Sequence, residues 1–83
     1  MQQDQIKTIV LSTLYEIAPE LGEQNIDPKI NFRDQFDFDS VDFLSFALSL
    51  QKRLNIKIPE IDYPKLSSLE GCMNYLHGMA GME

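Results

Sequence analysis

Several residue types are scarce in this 83-residue chain, and each shortage excludes a class of protein. A single cysteine excludes an internal disulfide, and the N-terminus has no apolar run of the kind that forms a signal peptide or a membrane span. Seven Lys and Arg oppose thirteen Asp and Glu, and the net charge of −6 argues against nucleic-acid binding, which needs a basic face. We therefore expect a cytoplasmic protein that neither spans a membrane nor binds nucleic acid.

The shortness of the chain also limits what it can build. Eighty-three residues make one domain with a single small core, too small to enclose an active-site cavity as well. We expect a monomer that is not an enzyme. Cys72 shares a helical face with Leu69, Met73 and Leu76, so we interpret it as a buried apolar side chain rather than a reactive thiol. His77, the single histidine, has no metal ligand at suitable spacing and is interpreted as an exposed helix-end residue. We expect no metal site.

Periodic apolar residues predict an all-α fold. From Gln2 to Ala18 they recur at three- and four-residue spacing, which predicts an amphipathic helix stopped by Pro19. A second helix is expected over about Ser40–Leu54. A last helix should run to about His77, opened by a capping box in Ser67-Ser68-Leu69-Glu70.

Two stretches between these helices lack a helical period. A long loop precedes the second helix, and it is acidic, with seven of the thirteen acids opposed only by Lys29 and Arg33. The segment Asn55–Pro59 is interpreted as an extended connector with inward isoleucines. Glu60–Leu66 could form one short helical turn, limited by Pro64. The expected fold class is a small bundle of three main helices, with that short turn before the last.

The second helix is apolar on two opposed sides. At about 100° per residue, its larger apolar cluster can face the core and consists of Phe43, Phe46, Ala47, Leu50 and Leu54. The smaller cluster consists of Val41, Leu44 and Leu48. We expect Leu44 to pack beneath the long loop, and Val41 and Leu48 to face a partner protein.

Ser40 begins the second helix, at a position that suits a serine carrying a phosphate. Asp39 is a favoured N-cap residue and forms a capping-box-like start with Asp42, so Ser40 falls in the first helical turn. Unpaired amides and the positive end of the helix dipole would stabilise a phosphodiester attached there. The two carboxylates could hold a divalent cation during phosphate transfer. The alternative is an ordinary capped helix start, since Asp and Ser are common in that position.

The order of these features resembles that of the acyl carrier proteins. In that family an Asp-Ser-Leu-Asp motif is followed by a helix, an Ile-x-Ile-Pro connector, a Ser-Ser or Thr-Thr cap and a final Tyr-Leu or Tyr-Ile pair. This chain presents, in the same order, Phe32, Phe36, Asp39-Ser40-Val41-Asp42, Ile56-Lys57-Ile58-Pro59, Ser67-Ser68-Leu69 and Tyr75-Leu76. With the first helix, the resemblance covers nearly the whole chain.

The resemblance implies that Ser40 carries 4′-phosphopantetheine, donated from coenzyme A by a separate phosphopantetheinyl transferase. Asp39 and Asp42 match the acids that flank the family's serine. Acyl groups would ride as thioesters on the terminal thiol of the arm. The implied partners are acyl-loading and acyl-processing enzymes of fatty-acid, polyketide or related biosynthesis. Ser40 needs no activation for this role, and the sequence offers it no general base.

Two departures from the family pattern indicate a specialised member. The small Gly-Ala pair that usually precedes Asp-Ser is Asp37-Phe38 here, which puts a phenylalanine beside the arm. The family's second helix is typically acidic, whereas this one has no acid after Asp42 and carries Ser45, Ser49, Gln51, Lys52 and Arg53. Its basic end would repel a basic patch, so we expect a dedicated acyl- or aminoacyl-loading enzyme. The expected partner surface consists of Val41, Ser45, Leu48 and Lys52.

Three competing hypotheses come from other classes. The first is an unmodified helical adaptor that docks a partner through Val41 and Leu48. The second is a calcium loop starting at Asp37, which we reject because an EF-hand needs an oxygen ligand at the fifth position, glycine at the sixth and glutamate at the twelfth. This chain has Val41, Asp42 and Leu48 there. The third, an enzyme using Ser40, Cys72 or His77, is the least favoured.

Overall fold

The computed structural model describes residues 2–19 and 26–80. Its elements are, in chain order, α1 (Gln3–Ile17), α2 (Phe32–Gln35), α3 (Ser40–Leu54), a 3₁₀ helix (Glu60–Leu66) and α4 (Leu69–Ala80). Within these ranges there is no β-strand. The predicted all-α fold of three main helices is confirmed, and so are the bounds of α3. The last helix continues past its expected end at His77, because Gly78 keeps a negative φ and no proline interrupts it.

The core lies where α1 packs against α3 and α4, and where α4 packs against the 3₁₀ helix. Its fully buried side chains come from all of these elements, namely Ile6, Val10, Leu14, Phe46, Ala47, Leu50, Leu66, Cys72 and Leu76. Burying each large apolar side chain contributes about 1.5–3 kcal/mol. The core-facing side predicted for α3 is confirmed, since Phe43 and Leu54 also pack partly buried against this cluster.

The opposite side of α3 faces solvent. Val41, Leu44 and Leu48 are 71%, 46% and 53% exposed, and we call these three residues the α3 stripe. Their spacing of three and four positions keeps them on one side of the helix, away from the side that packs on α1. The expectation that Leu44 packs beneath the long loop is therefore wrong.

The loop between α1 and α3 contains the short helix α2, which the sequence did not predict. Its first residue, Phe32, is buried in the core, and the Phe32 N–H donates to the Ser67 carbonyl at 2.8 Å. Gln35 closes the preceding turn: its Oε1 accepts from the Asp27 N–H at 2.9 Å, and its Nε2 donates to the carbonyls of Asp27 and Ile30. The described part of the loop, from residue 26 onwards, is thus fixed by a buried ring and by side-chain bonds to backbone groups.

The start of α4 differs from the expected capping box by one residue. The helix begins at Leu69, and the Ser68 hydroxyl accepts the Gly71 N–H at 3.0 Å. Ser67 instead donates its hydroxyl back into the 3₁₀ helix, and the Glu70 N–H donates to a carbonyl of the loop. The predicted box between Ser67 and Glu70 is therefore wrong, because both groups have other partners and Ser68 is the cap.

The connector after α3 has the extended conformation predicted for it. Asn55 ends α3 in the left-handed region at φ 53°, a conformation that Asn tolerates better than most residues. Ile58 is buried and Ile56 is partly buried, so both isoleucines point inward. The Gln51 side chain accepts the Ile58 N–H at 2.9 Å and donates to the Tyr63 hydroxyl at 3.2 Å. Gln51 thereby fixes the 3₁₀ helix relative to α3.

Cys72 and His77 occupy the environments expected for them. Cys72 is fully buried, its Sγ donates to the Leu66 carbonyl at 3.2 Å, and burial raises the pKa of its thiol. His77 is exposed in the last part of α4. A protonated thiol inside the core has little reactivity, so Cys72 acts as a packing residue. In the part of the chain that the structure describes, no helix is long and apolar enough to cross a membrane.

Candidate functional site

The start of α3 has the geometry predicted around Ser40. Asp39 is the N-cap, and its Oδ1 accepts the Asp42 N–H at 2.8 Å. In return the Asp42 carboxylate accepts the Asp39 N–H at 3.4 Å, which completes the capping box. Ser40 is the first helical residue and is exposed. The amides of Ser40 and Val41 have no intrahelical partner in this position, so they point out of the helix start together with the positive end of its dipole.

Ser40 opens onto a cleft of about 450 Å³. We call it the Ser40 cleft; it lies between α2, the start of α3 and the 3₁₀ helix. Its lining residues are Phe32, Arg33, Phe38, Asp39, Ser40, Phe43, Glu60, Tyr63, Pro64 and Ser67. The volume falls in the range of small-molecule sites, about 300–1,000 Å³. Of its two serines, Ser67 donates its hydroxyl to the Pro64 carbonyl at 2.6 Å, whereas Ser40 stands at the exposed helix start.

One wall of the cleft is aromatic and is held by the 3₁₀ helix. The rings of Phe43 and Tyr63 meet edge to face, with centroids 6.4 Å apart at 80°. The Gln51 bond to the Tyr63 hydroxyl holds the second ring in place. Edge-to-face pairs of this kind are favoured by the ring quadrupoles. The wall therefore has a fixed position relative to Ser40.

The 3₁₀ helix that carries this wall is fastened to α4 by a polar contact. The Tyr75 hydroxyl donates to the Asp62 carboxylate at 2.7 Å, and Lys65 lies 3.3 Å from the other oxygen of that carboxylate. The hydrogen bond from Tyr75 keeps the pKa of Asp62 below its usual value, with Lys65 acting in the same direction. Burial, followed by the bond to Asp62, raises the pKa of Tyr75 to about 12. Both groups therefore keep one protonation state near neutral pH.

The cleft has charged residues in its lining but no group suited to activating a serine. Arg33 is the single cation among the described lining residues, and the acidic lining residues are Asp39 and Glu60. No histidine, lysine or cysteine lines the part of the cleft that the structure describes. Ser40 therefore suits modification by another protein better than nucleophilic catalysis within this chain. Across residues 2–19 and 26–80, no cluster of three or more His, Cys, Asp or Glu could hold a metal ion.

These residues fit a phosphodiester-linked arm. An exposed hydroxyl stands beside unpaired helix amides, which suit an anion, and an apolar cleft begins at the same residue. Asp39 and Asp42 have a structural task as well, because their carboxylates hold the helix start. The lining role of Arg33 and Tyr63 was not predicted from the sequence. Neither residue lies in the serine motif, and only the folded chain shows that both line the same cleft as Ser40.

The four residues predicted as a partner surface are all exposed on α3. Val41 and Leu48 belong to the α3 stripe, while Ser45 and Lys52 lie on the same outer side of the helix. The two basic residues at the end of α3 differ from each other. Arg53 forms an ion pair with Glu16 of α1, whereas Lys52 has no ion pair among the residues described.

Comparison with known proteins places the chain in a family. A family model described as "phosphopantetheine attachment site" matches residues 4–76. The chain is 24% identical over 75 residues to an acyl carrier protein from Myxococcus xanthus, a match that covers 87% of this chain and 95% of that protein. An acyl carrier protein from Rubrobacter xylanophilus is 27% identical over 70 residues, with 81% and 86% covered. No solved structure matches.

The family model spans most of the chain, and the two relatives are covered over nearly their full length. The predicted cofactor, 4′-phosphopantetheine, and the prediction that the chain is not an enzyme are confirmed by this membership. Members of the family depend on a phosphopantetheinyl transferase and on the enzymes that process their cargo. The chain belongs to the phosphopantetheine attachment-site family and is a carrier protein of the acyl carrier type.

Proposed function

We propose that the chain carries acyl or aminoacyl groups as thioesters on 4′-phosphopantetheine attached to Ser40. The observation that carries the proposal is the position of Ser40: an exposed hydroxyl at the first residue of α3, on the edge of an apolar cleft. The arm supplies a thiol at the end of a long flexible chain, which lets one cargo reach several active sites. We further propose that the domain works as a monomer in the cytoplasm.

The chain's own residues have defined parts in this function. Ser40 supplies the oxygen: its bond to phosphorus forms as the pyrophosphate bond of coenzyme A breaks, adenosine 3′,5′-bisphosphate leaves, and a base of the transferase takes the serine proton. Asp39 holds the helix start by accepting the Asp42 N–H, which keeps the first-turn amides directed at the phosphodiester. Arg33, on the cleft wall, adds a positive charge near the same anion.

The partner surface favours a specialised pathway over general fatty-acid synthesis. Val41 and Leu48 offer exposed apolar area, Ser45 is neutral, and Lys52 adds a positive charge where the family typically carries acids. A partner with a basic docking patch would be repelled by Lys52, whereas one with an acidic or neutral patch would not. We therefore propose a dedicated acyl- or aminoacyl-loading enzyme as the main partner.

The test is the mass of the protein after reaction with coenzyme A and a broad-specificity phosphopantetheinyl transferase. Wild type should gain the mass of one phosphopantetheine group, and Ser40→Ala should gain none. Ser49→Ala, which removes another hydroxyl from α3, is the matched control and should be modified like wild type. Because Ser40 is exposed and the cap belongs to Asp39, Ser40→Ala should change stability by no more than about 0.5 kcal/mol.

Two outcomes would contradict the proposal. If Ser40→Ala still gains the arm, another residue is the attachment site. If wild type gains nothing, the chain is better explained as the unmodified helical adaptor, which would use Val41 and Leu48 to dock a partner. A circular-dichroism spectrum of each variant separates loss of the site from loss of the fold.

A further inference from the structure

We propose that Phe38 closes the Ser40 cleft against the protein interior, so that the chain shelters short acyl groups and not long ones. This inference rests on the proposed attachment of the arm to Ser40, and it adds the class of cargo. Phe38 stands two residues before Ser40 and lines the same cleft, yet it is only 6% exposed. Phe38 therefore belongs to the wall of the cleft while nearly all of its surface is packed into the domain.

Behind the cleft, three phenylalanine rings interlock. Phe38 meets Phe32 edge to face with centroids 5.8 Å apart, and it meets Phe46 in the same way at 6.1 Å. Phe32 and Phe46 contact each other at 5.6 Å and 80°. Phe32 is 1% exposed and Phe46 is fully buried. Each ring therefore contacts the other two. Phe32 and Phe38, together with Phe43, which contacts Phe46 at 6.5 Å, stand between the cleft and the core around Phe46.

This arrangement limits how far an apolar chain can enter. Extending the cleft towards Phe46 would require Phe32, Phe38 or Phe43 to leave a packed position, which costs the ring its contacts with its neighbours. Towards solvent the lining includes the charged residues Arg33 and Glu60, which offer no apolar cover. Carbons beyond the length of the cleft would therefore remain in water. The first few carbons of a cargo gain burial, and later ones gain none.

The experiment measures cleavage of the loaded thioester by hydroxylamine, which reports how often the cargo is outside the cleft. The transferase loads the protein from acetyl-, butyryl-, hexanoyl-, octanoyl- and dodecanoyl-coenzyme A, and intact mass confirms each product first. Each methylene that becomes buried should raise the equilibrium ratio of sheltered to exposed cargo roughly fourfold and slow cleavage by the same factor. For wild type we expect the cleavage rate to fall as the acyl chain lengthens among the short members of the series. The rates for octanoyl and dodecanoyl should be equal.

The variants test the assignment to Phe38. Phe38→Ala should slow dodecanoyl cleavage relative to octanoyl by roughly tenfold or more, which corresponds to about two further buried methylenes. Phe36→Ala is the matched control, because Phe36 stacks on Phe32 at 6.2 Å but does not line the cleft. It should keep the wild-type pattern. Phe38→Leu removes less of the ring packing and takes the place of Phe38→Ala if the alanine variant is unfolded. It should slow dodecanoyl cleavage relative to octanoyl, by less than the roughly tenfold expected for alanine.

Each outcome distinguishes this inference from the function on which it rests. If Ser40 accepts no arm, the proposed function fails and the inference fails with it. If the arm is loaded but wild-type cleavage slows by roughly 200-fold from octanoyl to dodecanoyl, as burial of four more methylenes would require, long chains are sheltered and only the inference is overturned. It is also overturned if Phe36→Ala behaves like Phe38→Ala, since general loosening would then explain both.

Discussion

Replacing Phe46 with alanine is the sharpest test of how α3 is packed. Phe46 is fully buried and contacts the rings of Phe32, Phe38 and Phe43, with centroids 5.6, 6.1 and 6.5 Å away. Two of these contacts are edge to face. The substitution removes a whole ring from the point where α2, the loop before α3 and α3 itself meet.

The expected loss in the free energy of unfolding is large compared with the total stability of so small a domain. Phe→Ala in a core costs about 3–5 kcal/mol, and the ring contacts place Phe46 in the upper part of that range. At 0.05–0.15 kcal/mol per residue, an 83-residue domain has about 4–12 kcal/mol in total. The change should therefore remove between a third and all of the free energy of unfolding. Val41→Ala is the control on the same helix: Val41 is 71% exposed, and its change should stay within about 0.5 kcal/mol.

Urea denaturation followed by the helical circular-dichroism signal measures both variants. With a slope of about 1 kcal/mol per molar urea, the midpoint of Phe46→Ala should fall by about 3 M or more, or the variant should be unfolded without urea. The midpoint of Val41→Ala should stay close to that of wild type. Equal shifts for the two variants would mean that the inner and outer sides of α3 have been assigned incorrectly.

Two further predictions concern charge. Lys52→Glu should raise the rate of loading by a general fatty-acid synthesis enzyme more at low salt than at high salt. Arg53→Glu, which breaks the pair with Glu16, should also lower the free energy of unfolding by up to about 1 kcal/mol, which urea titration measures. Equal rates for wild type and Lys52→Glu at both salts would remove the idea that this charge selects partners. The hydrogen bond from Tyr75 lowers the pKa of Asp62 from its usual value of about 3.9. The stability that this bond adds to the folded state is therefore present above about pH 4 and is lost as the pH falls through the lowered pKa. Tyr75→Phe should therefore be less stable than wild type at neutral pH and approach it in acid, and a difference that persists to about pH 2 in urea titrations would contradict this.

Local rules explain why so much of α3 could be predicted from the sequence. Its start depends on a capping box between residues three positions apart, and its inner side on apolar spacing of three and four residues. The burial of Cys72 and the inward isoleucines of the connector follow from the same kind of short-range pattern. Each of these features is decided by residues within about two helical turns, so the sequence carries the signal directly.

The features that could not be predicted depend on contacts between distant residues. The short helix α2 exists because Phe32 is buried and because Gln35 bonds to a turn that precedes it. The pairing of Arg53 with Glu16 joins α3 to α1, and nothing in either segment alone indicates it. Leu44 was expected to pack beneath the loop before α3. That loop instead packs through Phe32 against Phe46, on the other side of α3. In each case the outcome is set by which elements meet in the fold.

In the function proposed above, the geometry of α3 would separate the choice of partner from the choice of cargo. Ser40 lies at the start of α3. The outer side of this helix carries the α3 stripe, and its inner side leads through Phe43 to the cleft. The helix between them is held by the Asp39 cap and by Phe46 in the core, so neither side needs to move when the other is engaged. An enzyme docked on the stripe could reach an arm at Ser40 without closing the cleft. Because the stripe and the cleft lie on opposite sides of α3, substitutions on the two sides should have effects on partner preference and on cargo shelter that add independently.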